Sequence, residues 1–296
     1  MDRMETLIWR QFEMKHPDDW EMLQFGRGPD TGRCVLADRH QYRLEFNWRR
    51  FDAPPDWQRT LSDYGNKLKT DHSNASIRPV ETSGWSGLDI SGKELNTSRF
   101  GRFFGEESCL VEIVFIWPEA KDSDLTRDVL ESVRERPSLG STTRWRAFGM
   151  DLQASETVTL QACVVEPARA EMRFGNGKSP IPTELFQRLG LVPHWLKGSV
   201  PQWLEMQVSS DVIDIQQSGT TIRGHDIACV EGILRQGPLR RMVRKPPKLR
   251  AAAWQCPQDG RLYCATCTDR GEGEATRLPG RRLACCPSLA SEIGTR

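Results

Sequence analysis

Trp9-Arg10-Gln11-Phe12-Glu13-Met14 returns later in the chain as Trp145-Arg146-Ala147-Phe148-Gly149-Met150, an offset of 145 − 9 = 136. A second word behaves the same way. Gly87-Leu88-Asp89-Ile90, with Glu94 beyond it, returns as Gly224-His225-Asp226-Ile227 with Glu231, and 224 − 87 = 137. Two words in the same order at nearly one spacing predict a tandem duplication. The expected layout is a first repeat over 1–137, a linker over 138–142 and a second repeat over 143–296. A chain of 296 residues suits two domains of about 150.

Composition narrows the function classes. Ten tryptophans against three tyrosines indicate folded cores, since buried indoles anchor cores and interfaces. With 41 basic and 40 acidic residues the net charge is +1, which excludes a globally basic nucleic-acid binder but leaves room for a local patch. Met1-Asp2-Arg3-Met4-Glu5 carries no apolar signal core, and no run of eighteen apolar residues predicts a membrane span. Nine cysteines, an odd number, point to reduced thiols and a cytoplasmic location.

Working outward through the first repeat, Tyr42, Leu44, Phe46 and Trp48 alternate with polar residues, a period-two strand with one covered face. Asp56 is placed to cap a helix carrying Trp57, Leu61, Tyr64 and Leu68. Cys109 to Trp117 is apolar and β-branched, as a central strand is. Ser123 or Asp124 then caps a second helix with Leu125, Val129 and Val133 on one face. Gly26 to Gly32 reads as a hairpin loop, because no Lys-Ser/Thr follows as a phosphate loop requires. Strands in runs with helices at fixed points predict an α+β fold: two tandem copies of an antiparallel-sheet domain flanked by helices.

The second repeat departs in two places. Thr183 to Met206 reads as more helical than its counterpart, as two short helices interrupted by Pro193 and Pro201. After Glu231 comes a basic stretch, Arg235, Arg240, Arg241, Arg244, Lys245, Lys248 and Arg250, with no acid from Gly232 to Gln258. It reads either as a phosphate-contacting patch for nucleic acid or an anionic partner, or as a solvated edge strand whose charges discourage edge pairing.

Five cysteines lie near the end of the sequence: Cys256, Cys264, Cys267, Cys285 and Cys286. Four thiolates suit tetrahedral zinc, and a structural ion would help a segment with little to bury. Against the full set, Leu262 to Cys267 reads as a strand, where residues three apart face opposite ways. A redox C-x-x-C at Cys264 and Cys267 is the rival chemistry, and it needs a helix N-terminus that the flanks do not announce. No serine, histidine and aspartate combine into a hydrolase motif, and His225-Asp226 reads as a turn element beside the repeated Asp.

Pro17-Asp18-Asp19-Trp20-Glu21 entering the first hairpin, with a long terminal strand followed by a helix, resembles the PsbP-like superfamily over residues 7–136, and more loosely over 143–290. The resemblance implies an α/β/α sandwich around an antiparallel sheet. Members include photosystem extrinsic subunits and a Ran-binding nuclear transport factor, binding or assembly proteins without catalytic residues, so it assigns no site residue. The expected function is a non-catalytic scaffold acting through a protein partner. The alternatives are a zinc-stabilised nucleic-acid-associated protein and a thiol redox enzyme.

Overall fold

In the computed structural model, which describes residues 3–92, 96–136, 141–176, 183–210, 212–235, 246–269 and 281–290, the alternating stretch is strand β5, Tyr42–Arg50. It buries Leu44, Phe46 and Trp48 and turns Arg43, Glu45 and Asn47 outward. The chain divides into two compact units, Met1–Pro137 and Ser138–Arg296.

Unit one runs β1 (Met4–Trp9), β2 (Phe12–Pro17), β3 (Glu21–Phe25), β4 (Thr31–Ala37), β5, α1 (Trp57–Asp71), β6 (Ser76–Thr82), β7 (Trp85–Ser91), β8 (Asn96–Phe104), β9 (Cys109–Ile116), α2 (Ser123–Ser132) and β10 (Arg134–Glu135). A seven-stranded antiparallel sheet has the order β3-β4-β5-β9-β8-β7-β6, and β10-β2-β1 are paired alongside one another. Phe12 meets Phe46 and Phe104 across this packing. On the other face α1, capped by the Asp56 carboxylate accepting from Arg59 N–H at 3.0 Å, seats Leu61 and Leu68 against Leu88 and Ile90. The cap of α2 is Asp122, one residue before the expected pair, and its carboxylate accepts from Leu125 N–H. Trp85, 1 % exposed, donates its indole N–H to the Leu130 carbonyl of α2 at 3.1 Å.

Unit two runs β11 (Thr142–Ala147), β12 (Met150–Ser155), β13 (Thr159–Glu166), β14 (Arg169–Gly175), β15 (Glu184–Leu189), α3 (Val192–Trp195), α4 (Val200–Val208), β16 (Val212–Ile222), β17 (His225–Leu234), β18 (Lys248–Gln255), β19 (Leu262–Asp269), β20 (Leu283–Ala284) and α5 (Pro287–Ala290). Its seven-stranded order is β13-β14-β15-β19-β18-β17-β16, unit one's order with every number raised by ten, and β11-β12-β20 lie in a separate set. A groove recurs at one topological place: under α1 beside Leu61, Ile77 and Leu88, about 220 Å³, and beside α4 with Val200, Gln217 and Ile227, about 710 Å³. The edge strand at this end is blunted in two ways: β6 contains Pro79, and β16 has a bulge between Ile213 and Gln216 with Asp214 at φ 54°.

The repeated words do not occupy repeated positions. Two-residue turns with both φ positive join β1 to β2 at Arg10-Gln11 and β11 to β12 at Phe148-Gly149, so the structural offset is 148 − 10 = 138. Ala147 therefore stands where Trp9 does, and Trp145 matches Leu7. Ser83-Gly84 and Arg223-Gly224 make the equivalent later turns, with offset 223 − 83 = 140. His225 thus takes the place of Trp85. A slip of two keeps a strand's faces, whereas a slip of three exchanges them.

The α+β expectation is overturned. Strands account for 54 % and helices for 17 % of the described residues, so the fold is dominated by antiparallel β-structure and helices do not flank the sheets as a layer. Helix caps and i, i+4 spacings are strong local signals, whereas central strands covered on both faces lose their alternation. Glu184–Leu189 misleads for a further reason, since its leucines sit at helical spacing yet it pairs with β14 and β19.

Each unit also buries a glutamate. Glu13 is held by Arg134 and Arg136, and Glu171, 0 % exposed, by Arg169, Arg173 and Gln187. Burial works to raise both carboxyl pKa values, but the guanidinium hydrogen bonds outweigh it and hold both below the ordinary glutamate range. A folded-state pKa below the unfolded value gives stability that is present at neutral pH and lost as pH falls through the folded value. Urea midpoints should therefore drop on acidification below about pH 4, and Glu171→Gln should flatten that dependence for unit two. Trp85→Ala should cost unit one about 3–5 kcal/mol, and Trp85→Phe about 1 kcal/mol through the lost hydrogen bond, both read by denaturation followed by circular dichroism.

Candidate metal centre

His225 is the first residue after the tight Arg223-Gly224 turn, which fixes its ring inside the unit at 1 % exposure. The ring Nδ1 lies 3.2 Å from the Arg223 carbonyl, so an Nδ1–H tautomer leaves Nε2 bare as a ligand. Cys256 leaves β18 into a turn closed by Cys256 N–H to the Arg261 carbonyl and Gly260 N–H to the Cys256 carbonyl. Cys285 and Cys286 lie between β20 and α5. The strap that carries them is attached by the pairs Asp151–Ala284 and Leu152–Leu283, and by Arg282 on Glu184 and on the Gln153 carbonyl.

The four donor atoms of His225, Cys256, Cys285 and Cys286 all lie within 4.8 Å of one another. Tetrahedral zinc, with bonds of about 2.3 Å to sulfur and 2.0 Å to nitrogen, separates two sulfurs by about 3.8 Å and sulfur from nitrogen by about 3.5 Å. Cys285 and Cys286 Sγ are 3.7 Å apart, and His225 Nε2 is 3.3 and 3.5 Å from them. Each sulfur is also met by hydrogen-bond donors. Cys256 faces the backbone N–H groups of Gln258 and Asp259, Cys285 the Trp254 indole N–H at 3.3 Å, and Cys286 the Ser288 hydroxyl at 2.9 Å and the Leu289 N–H. Three sulfurs ringed by donors and an imidazole steadied by an acceptor form a surrounding built for thiolates on a soft or borderline cation.

Without a cation, burial pushes the Cys256 and Cys285 thiols up. Burial works the same way on Cys286, but the Ser288 hydroxyl, the Leu289 N–H and the neighbouring sulfurs outweigh it and hold that thiol below its ordinary value. Trp254 stacks at 6.0 Å on Tyr263, its cross-strand partner, and the Tyr263 hydroxyl donates to Asp259 in the Cys256 turn. This buried pair fixes one ligand's turn while its indole touches another ligand.

Of the five cysteines expected to bind metal, the structure brings together Cys256, Cys285 and Cys286. Cys264 and Cys267 are strand residues of β19 and stand outside the set. Cys264 joins the core beside α4, and Cys267 points to the opposite face. The redox reading of this pair meets the same obstacle, because no helix begins at Cys264 and burial pushes its thiol up to about 12. In the basic stretch, Lys248 and Arg250 lie on β18, an inner strand and not an edge, with Arg250 3.4 Å from Glu231. Arg235 ends the described part of that connection, and Arg240, Arg241, Arg244 and Lys245 lie outside the described residues.

The residue that sequence reasoning missed is His225. Its signal was the turn: aligning Ser83-Gly84-Trp85 with Arg223-Gly224-His225 sets a histidine at a position that is a buried tryptophan in unit one.

No known protein family matches the chain, and no curated protein does. Among the solved structures that match, one from Bacteroides thetaiotaomicron VPI-5482 aligns at 15 % identity and a TM-score of 0.27 over 49 % of this chain and 50 % of that one. The chain thus spans about half of that protein, and a likeness this low carries no argument.

Alkylation of the native chain at pH 8 should leave Cys264 and Cys109 unmodified, since burial pushes their thiols to about 12 and about 11. A metal ion binding to this cluster would displace thiol protons, so the measured zinc affinity should weaken as pH falls, by more than about tenfold per unit where more than one proton is released. Isothermal titration in buffers of different ionisation enthalpy measures that proton count.

Proposed function

We propose that the chain is a non-catalytic binding or scaffold protein, a duplicated β domain whose second copy is closed by a structural zinc ion. The observation that carries this reading is the donor count. His225, Cys256, Cys285 and Cys286 offer four donor atoms from protein alone, the number a structural zinc takes, whereas a catalytic zinc keeps one position for water or substrate. Zinc bound there supplies a cross-link between the strap, the β17 turn and the β18 turn. The equal strand order of the two units supports duplication. The groove that recurs at one place in both supports binding as their shared role.

Apolar packing alone is a weak anchor for the strap. Ordering residues 281–290 costs about 1–2 kcal/mol per residue in backbone entropy. Leu283 and Leu289, the large apolar side chains the strap buries, return about 1.5–3 kcal/mol each. A four-residue helix has no stability of its own. Structural zinc contributes about 10–16 kcal/mol in small zinc-dependent folds, and here it would add to the strap's pairing with β12 and to the Arg282–Glu184 contact.

Elemental analysis of the purified chain should find about one zinc per chain. A strong chelator should make the strap protease-sensitive and lower the stability of unit two before that of unit one. A chain without metal, equally stable with and without chelator, would overturn the zinc reading. Turnover of a substrate by the purified chain would overturn the non-catalytic one.

A further inference from the structure

The centre is unevenly shielded. His225 and Cys256 are buried at 1 % and 0 % exposure, while Cys285 and Cys286 are partly exposed, the Cys285 sulfur lying against the buried Trp254 indole and the Cys286 sulfur against the half-buried Ser288 hydroxyl. A small polar oxidant therefore reaches the Cys286 sulfur first. A second sulfur must then resolve the oxidised one. Adjacent Cys285 is a poor partner, because consecutive Cα atoms are about 3.8 Å apart and disulfides usually need about 4.4–6.8 Å. Cys256 comes from another segment, and its sulfur is within 4.8 Å.

Resting on the zinc reading above, we propose that hydroperoxides exchange the zinc of this centre for a Cys256–Cys286 disulfide. The Cys286 thiolate attacks one peroxide oxygen; an S–O bond forms, the O–O bond breaks, and the departing hydroxide or alkoxide takes up a proton. The Cys256 thiolate then attacks the sulfenic sulfur; the S–S bond forms, the S–O bond breaks, and hydroxide leaves and is protonated to water. Two electrons pass from the two sulfurs to the peroxide, and Zn²⁺ departs with two of its thiolates gone. The disulfide holds the strap near the β18 turn, where the metal held it, so the exchange reverses on reduction. His225 and Cys285 are released from their shared partner, which makes the centre a regulated source of zinc and a reporter of peroxide.

The test uses the full zinc-loaded chain, hydrogen peroxide, a chromogenic chelator to follow released zinc, and peptide mapping of the products. One zinc released per disulfide, a Cys256–Cys286 link, and recovery with thiol reductant plus zinc are expected. A Cys163→Ser variant, lacking a partly exposed thiol elsewhere in unit two, should release zinc equally. Zinc retained at peroxide levels that oxidise Cys163 would overturn the proposal. So would release accompanied only by sulfinic acids or by a Cys285–Cys286 link. A chain that takes up no zinc at all overturns the zinc reading as well, whereas zinc that stays bound under peroxide overturns the switch alone.

Discussion

Three stretches of chain that are remote in sequence must deliver four donor atoms to one point, and the second unit is arranged around that convergence. The β17 turn fixes His225, the β18–β19 turn fixes Cys256, and the strap paired to β12 brings the two adjacent cysteines. Positive φ at Arg223 and Gly224 is what aims the histidine inward and not along the sheet edge. The Trp254–Tyr263 pair, both side chains at 0 % exposure, holds two of the three stretches in register. A change to either turn would scatter the ligands while leaving the seven-stranded sheet in place.

The two units solve one packing problem by different chemistry. Where β7 emerges from its turn, unit one buries Trp85 and ties it to α2, a ten-residue helix with Thr126, Val129 and Leu130 inside. Where β17 emerges, unit two has His225, and the chain that covers it has a four-residue helix that buries only Leu289. Unit one fills this place with the apolar area of a large indole and a long helix, whereas unit two brings an imidazole and three sulfurs together in a cluster that could hold a metal ion. The order of elements differs as well, since β10 follows α2 whereas β20 precedes α5.

Much of the local structure was legible in the sequence. The alternation over Tyr42–Arg50, the Asp56 cap with its Trp57, Leu61, Tyr64 and Leu68 face, and the apolar Cys109–Ile116 strand all follow from period and capping. The fold class was not, because central strands covered on both faces lose their alternation and helical spacing misassigned Glu184–Leu189. The repeat itself was read from words that are displaced by two or three residues from true equivalence. The ligand set was only partly visible. Adjacent cysteines would diverge in a strand, but Cys285 and Cys286 lie on a bend, where both sulfurs face one side. His225 showed only through its turn, because the cysteines that meet it are brought there by the strap's pairing with β12, which its own neighbourhood in the sequence does not announce.

The blunted edges of β6 and β16 bear on how such a chain avoids tangling. Two units with one strand order, made in succession on one polypeptide, present each nascent sheet with a near-copy of its missing strand, the setting in which tandem domains misassemble. A strand from one unit would have to match both the side-chain register and the edge geometry of the other. Pro79 withholds a donor from the first edge, and the kink at Asp214 twists the second. The two edges thus carry different devices against a wrong partner strand. The difference between the two edges favours each half of the chain folding on itself.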